Sequence, residues 1–451
     1  MNDTIAAIST ALGVGAISII RVSGEDAINI VNSIFKGEDL TKQPSHTIHY
    51  GYITDKNKKA DEVLISIMKA PKTFTTEDIV EINCHGGVVT TNQILEILLD
   101  KGVRLAEPGE FTKRAFLNGR IDLTQAESVI DLVNAKTEIA KDMALKGLIG
   151  NIYDLVKRLR DEILKILSNI AVNIDYPEYQ DEEEITRELI GKKIKDYKTK
   201  IETIISNAKE GRIIKEGIKT LIIGKPNVGK SSLLNKLINE EKAIVTEIAG
   251  TTRDIVEGKV ILDGIELSII DTAGIRDTKN KIEKIGVEKT KKLIPEADLI
   301  LFLLNNNEQI SSNELDLLKK TSHKNVIVII NKIDLKEKIN PKELKNYPII
   351  RMSVLNNEGI SDLKNKIKEL FNLEQIQTQD LTYLSNARQL SIFNEILDII
   401  ESIQLSIKNN ITIDMIEIDL KRIWILLGEV IGETFNDQII NEMFKNFCLG
   451  K

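Results

Sequence analysis

The sequence predicts a multidomain protein with an α+β N-terminal domain, an all-helical domain in two parts, and an α/β domain inserted between those parts. Three observations predict this. The spacing of apolar residues changes three times along the chain, one segment alternates apolar strands with helices, and 451 residues exceed what a single core usually holds. We expect domains at residues 1–118, 119–215, 216–372 and 373–451, the second and fourth forming the helical domain.

The N-terminal segment predicts several strands and one helix. Residues 16–20 and 63–68 are rich in β-branched side chains and lie between turn formers, which is typical of strands. Residues 89–101 have helical spacing and end before Gly102. Strands around a helix give an α+β domain.

Helical spacing then dominates residues 122–212 and returns after Gln375 almost to the end of the chain. One break in the helical spacing is clear at residues 175–178. The acidic run that follows at 181–184 is interpreted as the solvated start of a helix, where the helix dipole favours carboxylates. Helical segments therefore lie on both sides of residues 216–372.

The pattern of apolar runs in residues 216–372 predicts a largely parallel sheet. Its apolar runs at 221–223, 268–270, 299–304 and 326–330 suit strands that are buried on both faces, and helical stretches separate them. Because helical segments lie on either side in the sequence, this α/β domain is inserted into the helical one.

Composition excludes several classes of protein. The net charge is −7, so no broad positive field steers the chain onto nucleic acid. The two cysteines, Cys84 and Cys448, exclude a disulfide framework and a four-cysteine zinc site. No stretch of about 18 apolar residues is present. We expect a cytoplasmic protein without a membrane partner.

A phosphate-binding loop is the strongest single motif. Residues 224–231, Gly-Lys-Pro-Asn-Val-Gly-Lys-Ser, fit GxxxxGK[ST] between a predicted strand and a predicted helix. Backbone N–H groups of such a loop surround phosphate oxygens, Lys230 neutralises the β and γ phosphates, and Ser231 places its hydroxyl on Mg²⁺.

Three further motifs follow in the order of a translation-factor-type GTPase domain. Residues 251–254, Thr-Thr-Arg-Asp, lie in a loop that can order around metal and γ-phosphate, and residues 271–274, Asp-Thr-Ala-Gly, end a buried strand. Residues 331–334, Asn-Lys-Ile-Asp, follow another strand. Asp334 can accept hydrogen bonds from guanine N1–H and N2–H₂, a pair that adenine lacks, and Ser353 completes the base pocket.

The residue after Asp-Thr-Ala-Gly is Ile275, and an isoleucine cannot hydrogen-bond the attacking water. Ras-type GTPases have a glutamine at this place. Glu283, further along the same segment, is a candidate to position the water directly or through a second one.

The motifs Gly-Lys-Pro-Asn-Val-Gly-Lys-Ser-Ser, Ile-Ala-Gly-Thr-Thr-Arg-Asp and Asp-Thr-Ala-Gly-Ile-Arg resemble those of the TrmE-Era-EngA-like GTPase superfamily. Within it the chain is similar to the MnmE (TrmE) family of tRNA modification GTPases over essentially its whole length. Segments 13–24, 81–87, 107–116, 118–127 and the C-terminal Phe-Cys-Leu-Gly-Lys at 447–451 carry that resemblance.

The resemblance implies an N-terminal domain that binds tetrahydrofolate and dimerises, and a G domain inserted into the helical domain. It also implies potassium-dependent hydrolysis, in which two G domains meet when GTP is bound. Catalysis would involve Lys230 and Glu283, the latter orienting water. Implied metal ligands are Ser231 and Thr252 for Mg²⁺, and the Asn227 side chain with the backbone oxygens of Thr246, Ile248 and Thr251 for K⁺.

The implied nucleotide contacts form one set that spans all four motifs. Its members are Gly224, Asn227, Val228, Gly229, Lys230, Ser231, Ser232, Thr246, Glu247, Ile248, Ala249, Gly250, Thr251, Thr252, Asp271, Thr272, Ala273, Gly274, Asn331, Lys332, Asp334, Ser353, Val354 and Leu355.

A formyl-tetrahydrofolate site is implied at Arg21, Glu81, Arg120 and Lys451. The family usually has lysine where Arg120 stands, so the charge is kept but its geometry need not be. A lone C-terminal cysteine is usually structural, whereas the resemblance makes Cys448 a candidate participant in the modification chemistry. Two other candidates are interpreted as structural: a packed core thiol at Cys84 and a polar loop residue at His85.

The resemblance implies a homodimer that acts on tRNA with the FAD-containing subunit MnmG (GidA). Together they would add an aminomethyl or carboxymethylaminomethyl group to C5 of wobble uridine 34, using a folate-borne one-carbon unit. The alternative is an Era-like ribosome-assembly GTPase, which explains residues 216–372 equally well but gives the N-terminal domain and the C-terminal Cys-Leu-Gly-Lys no role. A membrane-associated transport GTPase would need a spanning segment, and the sequence has none.

Overall fold

The computed structural model describes residues 3–56, 58–175, 187–240, 258–262, 264–270, 293–373 and 386–433, together with Leu384, Phe444, Phe447 and Gly450. The chain divides into two compact units. The first contains residues 1–133, 147–196 and 395–451, and the second contains residues 134–146 and 197–394.

A seven-stranded sheet forms the N-terminal part of the first unit. The strand order is β3-β4-β5-β6-β2-β1-β7, with β1 and β7 parallel and the other neighbours antiparallel. The strands are β1 (Ile5–Ile8), β2 (Ile17–Ser23), β3 (Phe35–Lys36), β4 (Thr47–Asp55), β5 (Lys58–Met68), β6 (Ile79–His85) and β7 (Arg104–Leu105).

The two faces of this sheet differ in character. Ile65, Ile82 and Ile20 lie side by side across β5, β6 and β2 and are fully buried with the apolar residues of helices α1 (Ala27–Ile34) and α2 (Val88–Asp100). Side chains alternate along a strand, so the neighbouring positions face the other side. The candidate site of this unit lies on that other face.

The N-terminal segment contains three helices, so the prediction of one helix was wrong. Residues 89–101 match α2, while α1 and α3 (Glu110–Leu117) were missed. Each of the missed helices has eight residues. Two turns give too few apolar positions for a periodic pattern to stand out.

Helices follow along the chain as the spacing predicts. They are α4 (Leu123–Asn134), α5 (Glu138–Ile149), α6 (Asn151–Asp175) and α7 (Arg187–Glu216). The predicted break is consistent with the end of α6 at Asp175, and the acidic run at 181–184 lies outside the described residues.

The second unit is built on a six-stranded sheet with the order β13-β12-β11-β8-β10-β9. Neighbouring strands are parallel except β9 and β10, which form an antiparallel pair. The strands are β8 (Ile218–Ile223), β9 (Gly258–Leu262), β10 (Ile265–Ile270), β11 (Leu299–Asn305), β12 (Asn325–Asn331) and β13 (Ile349–Met352). Helices α8 (Lys230–Glu240), α9 (Ser312–Lys320) and α10 (Ile360–Leu370) lie between and after these strands in the sequence.

The four apolar runs predicted as buried strands lie in β8, β10, β11 and β12, which confirms the α/β prediction. Separate apolar clusters cover the two faces of the sheet. Because β8, β11, β12 and β13 are parallel, their carboxyl ends meet at one edge, where α/β sheets bind their ligands.

Part of α5 belongs to the second unit. Ala140 and Met143 are buried in the same apolar cluster as Leu262 and Ile265, at the β9–β10 hairpin. The sequence prediction placed these residues in the helical domain, within residues 119–215, because their spacing is helical.

Two long helices follow near the C-terminal end, α11 (Ala387–Lys408) and α12 (Ile413–Ile431); α12 and the part of α11 from residue 395 onward belong to the first unit. Arg160 of α6 stacks on Trp424 of α12, with its guanidinium carbon 4.0 Å from the ring centroid, and it pairs with Glu433. In the parts of the chain that the structure describes, no helix is long and apolar enough to cross a membrane.

Candidate nucleotide-binding site and a second polar cluster

The phosphate-binding loop leaves β8 after Ile223 and enters α8 at Lys230, as the motif requires. Its backbone turns through positive φ at Asn227 (63°) and Gly229 (104°). A Cβ atom at Gly229 would lie 2.3 Å from Asn331 Nδ2. Glycine is needed there both for the φ angle and for the close approach of the asparagine.

Lys230 is folded back over this loop. Its Nζ donates to the carbonyl oxygens of Gly224 and Lys225, at 2.7 and 2.8 Å. Burial lowers the pKa of the Lys230 ammonium group. A partly desolvated ammonium at a helix N-terminus makes this loop a cradle for an anion. Ser231 and Ser232 occupy the first turn of α8, and Ser231 is half-buried.

Asn331, the last residue of β12, links two loops at the edge of the sheet. Its Nδ2 donates to the carbonyl oxygen of Val228 at 2.7 Å, and its Oδ1 accepts from the N–H of Val354 at 3.1 Å. Asn331 is only 3% exposed, and these two bonds give each polar atom of its buried side chain a partner. Asn331 therefore holds the phosphate-binding loop against the loop that follows β13.

Asp334 is fixed by a neighbour on that second loop. Ser353, which is fully buried, donates its hydroxyl to Asp334 Oδ1 at 2.6 Å. Asp334 itself is exposed, so its carboxylate is accessible to a ligand. The backbone of Lys332 has a φ angle of 65°. Leu355 extends into solvent, with 85% of its surface exposed.

The structure thus brings together the predicted residues of the phosphate-binding loop and those of the base pocket. Apart from Arg21, Glu81 and Arg120, the other predicted residues lie outside the described part of the chain: Thr246, Glu247, Ile248, Ala249, Gly250, Thr251, Thr252, Asp271, Thr272, Ala273, Gly274, Ile275, Glu283, Cys448 and Lys451.

A second polar cluster lies on the first unit's sheet, on the face away from α1 and α2. Arg21 of β2 and Glu81 of β6 are direct cross-strand neighbours, and Arg21 Nε and Nη2 both bond Glu81 Oε1, at 2.9 and 2.8 Å. Arg120 joins them through Phe74. Its guanidinium carbon lies 4.9 Å from the Phe74 ring centroid, and its Nη1 donates to the Phe74 carbonyl oxygen at 3.1 Å.

Phe74 is the residue of this cluster that sequence reasoning missed. The Arg21 guanidinium lies 5.9 Å from its ring centroid, so the half-buried ring has an arginine on two sides. Cation–π contacts of this kind stabilise the arrangement modestly. The available signal was a lone aromatic residue among turn formers just before β6.

Cys84 and His85 differ in their surroundings. Cys84 is 3% exposed and its thiol donates to the Ser18 carbonyl oxygen at 3.4 Å; burial raises its pKa. The structure bears out the interpretation of a packed core thiol. His85 is the last residue of β6 and not a loop residue, and its Nδ1 lies 2.8 Å from Asp61 Oδ1.

A phosphate-binding loop between β8 and α8, beside an Asn-Lys-Ile-Asp strand end on a mainly parallel sheet, defines the class: this is a P-loop GTPase. The family description "GTP-binding protein TrmE N-terminus" matches residues 4–120, and "MnmE helical domain" matches residues 123–448.

Curated relatives cover the full chain. Proteins described as "tRNA modification GTPase MnmE" are 51% identical in Bacillus cytotoxicus, with 100% of this chain and 99% of the relative covered, and 50% identical in Bacillus subtilis, with 100% of both covered. The Streptococcus thermophilus relative of the same description is 50% identical, with 100% of this chain and 98% of the relative covered. The chain belongs to the MnmE family of tRNA modification GTPases.

Proposed function

We propose that this chain is a potassium-activated GTPase that dimerises through its G domains and modifies tRNA in the cytoplasm. With an FAD-containing partner, MnmG, it would install an aminomethyl or carboxymethylaminomethyl group at C5 of wobble uridine 34, using a formyl- or methylene-tetrahydrofolate carbon. The similarity to relatives described as tRNA modification GTPases supports tRNA as the substrate. The observation that carries the proposal is a folate-suited cluster in a chain that also builds a guanine-nucleotide site.

The phosphate-binding loop suits a nucleoside triphosphate. Its cradle combines a helix N-terminus with a lysine ammonium that now rests on carbonyl oxygens, and phosphate oxygens are stronger acceptors for the same donor. Lys230 would turn from the loop carbonyls to the phosphates. Its ammonium group would then stabilise the charge that develops on the transferred phosphoryl group.

Magnesium and potassium would reinforce this electrostatic stabilisation of the phosphates. Ser231 and Thr252 would hold Mg²⁺, and Asn227 with the backbone of Thr246, Ile248 and Thr251 would hold K⁺. The exposed Asn227 side chain, on a loop turn with a φ angle of 63°, leaves an oxygen ligand accessible. Glu283 would orient the attacking water, since Ile275 cannot.

Guanine would be selected by Asp334. Ser353 holds one carboxylate oxygen, so the side chain is oriented before the base arrives. A base without N1–H and N2–H₂ donors would leave this carboxylate unpaired, and that penalty gives specificity. Asn331 would hold the phosphate and base loops in register.

The cluster of Arg21, Glu81, Arg120 and Phe74 suits a folate. A pterin ring is flat and carries N–H donors, while the glutamate tail is anionic. Phe74 offers an aromatic face, and Glu81 retains Oε2 as an acceptor because both bonds from Arg21 end on Oε1. Arg21 and Arg120 supply positive charge for the tail, with Lys451 as a further candidate.

The homodimer is supported by the sheet of the first unit. Ile48, Tyr50 and Leu64 are 66%, 58% and 46% exposed on the face of β4 and β5 that lies away from α1 and α2, and Tyr50 and Leu64 are direct cross-strand neighbours. Exposed apolar residues on one sheet face are typical of a protein contact. We assign this contact to a second copy of the chain.

The test is calorimetric titration of 5-formyl-tetrahydrofolate into the full-length protein and into Arg21→Ala. The proposal predicts saturable binding to the parent protein and at least a tenfold loss of affinity in the variant, since one charge-assisted contact contributes about 1.5–3 kcal/mol. The matched control is Arg422→Ala, an exposed arginine of the same unit that pairs with Glu395. Absence of binding to a folded parent protein that still binds GTP would favour the Era-like alternative.

A further inference from the structure

We propose that Asn306 is a positioning residue for guanine selection: it holds the loop that carries Asp334 in the geometry that the base contact needs. Asn306 follows β11 and lies in none of the four sequence motifs. The inference rests on the proposed role of Asp334, and it adds a residue that acts on the base through that loop.

Asn306 is 1% exposed, and its polar groups bond to the end of β12, to the loop that follows it and to β13. Its Nδ2 donates to the carbonyl oxygen of Leu335 at 2.9 Å. Its backbone N–H donates to the carbonyl oxygen of Asn331 at 2.9 Å, and its carbonyl oxygen accepts from the N–H groups of Lys338 and Ile339, at 2.8 and 3.2 Å.

The side-chain amide has one orientation that satisfies this network. Arg351 Nη2 donates to Asn306 Oδ1 at 3.4 Å, while the opposite end of the amide faces the Leu335 carbonyl. A flipped amide would place two oxygens together at Leu335 and two donors together at Arg351. The donor is therefore directed at Leu335, the residue next to Asp334.

Asp334 is thus restrained from two directions. Ser353 holds its carboxylate, and Asn306 holds the carbonyl oxygen of the next residue, Leu335. The Asp334 side chain is exposed, so no packing of its own fixes its position. Selection between bases depends on sub-ångström placement of this carboxylate, because two bonds to one base edge must form together.

The backbone bonds of Asn306 do not depend on its side chain, so Asn306→Asp should fold. The aspartate is isosteric but has no N–H, and it places a carboxylate oxygen against the Leu335 carbonyl. The loop keeps its bonds at Lys338 and Ile339 and loses its tether next to Asp334. Asn325→Ala is a matched control, since Asn325 Nδ2 donates to the Asp298 carbonyl oxygen at the opposite edge of the same sheet.

The experiment measures equilibrium binding of GDP and IDP to the full-length protein. IDP lacks the N2 amino group, so it forms one bond to the carboxylate where GDP forms two. We expect Asn306→Asp to lower GDP affinity about tenfold and IDP affinity about threefold or less, which shrinks the preference for GDP. For hydrolysis, KM for GTP should rise while kcat at saturation stays unchanged.

Equal losses for GDP and IDP, or no loss for GDP, would overturn the proposal, because a general structural defect does not distinguish the two bases. Asp334→Asn is the separate arm that tests the role of Asp334. Its amide can donate to the 2-oxo group of xanthine, so it should prefer XDP to GDP. If it keeps the preference for GDP, the assignment of Asp334 fails, and the positioning role of Asn306 fails with it.

Discussion

Glu110 is a carboxylate that is almost wholly removed from water, and two arginines hold it there. It is 3% exposed and accepts from Arg104 and Arg114 and from the N–H of Glu107. Arg114, which is 1% exposed, also pairs with Asp3 and Glu77. Burial alone would raise the pKa of the Glu110 carboxyl, but the hydrogen bonds from Arg104, Glu107 and Arg114 outweigh it and lower the pKa.

Glu110→Gln should therefore lower the free energy of unfolding by about 3 kcal/mol at pH 7, because it breaks a buried ion pair and removes one of the three carboxylates that compensate the buried Arg114 charge. A lowered carboxyl pKa stabilises the fold above the unfolded-state value of about 4.3, and this contribution is lost as pH falls through the folded pKa. The difference between the two proteins should shrink below about pH 4.

Urea unfolding followed by the fluorescence of Trp424, the single tryptophan of the chain and a residue of the same unit, measures this difference. Glu107→Gln is the control, since that position contributes its backbone N–H to Glu110 and keeps it. A penalty for Glu110→Gln that is the same at pH 7 and pH 3.5 would contradict the linkage.

Residues of the site were predictable to different degrees. Lys230, Asn331 and Asp334 were predicted because a local motif fixes each against a strand end. Phe74 and Asn306 were not, since their roles depend on loops that meet only in three dimensions. The direct cross-strand pairing of Arg21 with Glu81 likewise depends on strand register, which no local pattern determined.

The turn between β9 and β10 shows how an element from elsewhere in the chain restricts a residue. Gly264 has a φ angle of 78°, and a Cβ atom there would lie 2.7 Å from Ile139 Cδ1 of α5. β10 leads towards the predicted Asp-Thr-Ala-Gly motif that follows Ile270, and β9 follows the predicted Thr-Thr-Arg-Asp loop. The hairpin that α5 contacts thus connects the two segments expected to respond to the γ-phosphate.

Gly264→Ala should destabilise the hairpin by about 2 kcal/mol, from backbone strain together with the clash against Ile139. Gly119→Ala is the matched control: its φ angle is 71°, but a Cβ atom there would have no neighbour within 4 Å among the described residues. Hydrogen exchange of the β10 amides reports the change at Gly264, and exchange of the Gly119 and Arg120 amides, which bond to the end of α3, reports the change at Gly119. Ile139→Ala should restore part of the loss, and a loss no larger than that of the control would contradict a contact between α5 and the hairpin.

Elements with strong local signals were predicted well. The buried strands β8, β11 and β12 have long apolar runs, and α6 and α12 have clear helical spacing. Short elements were missed, because β3 and β7 have two residues each. The position of α5 against the second sheet was not predictable, since an apolar helix face does not specify its partner.

The whole chain contains a guanine-nucleotide site in its second unit and, in its first, the Arg21–Glu81 cluster for which we propose folate binding. An Era-like switch would need only the nucleotide site. We therefore propose that nucleotide hydrolysis serves chemistry at the Arg21–Glu81 cluster, so that one substitution should be able to disable each site separately. Arg21→Ala leaves the G domain intact, while Glu283→Ala removes the proposed water-positioning carboxylate.

The most direct test is mass spectrometry of the wobble nucleoside after incubation of unmodified tRNA with the full-length protein and its FAD-containing partner. The mixture also contains GTP, magnesium, potassium, methylene-tetrahydrofolate as the carbon donor and ammonium or glycine as the nitrogen donor. We expect the modified uridine with the parent protein and at least a tenfold loss with Arg21→Ala, even though that variant hydrolyses GTP at the parent rate. We also expect loss with Glu283→Ala, which binds GTP but does not hydrolyse it. Normal modification by either variant would contradict the account.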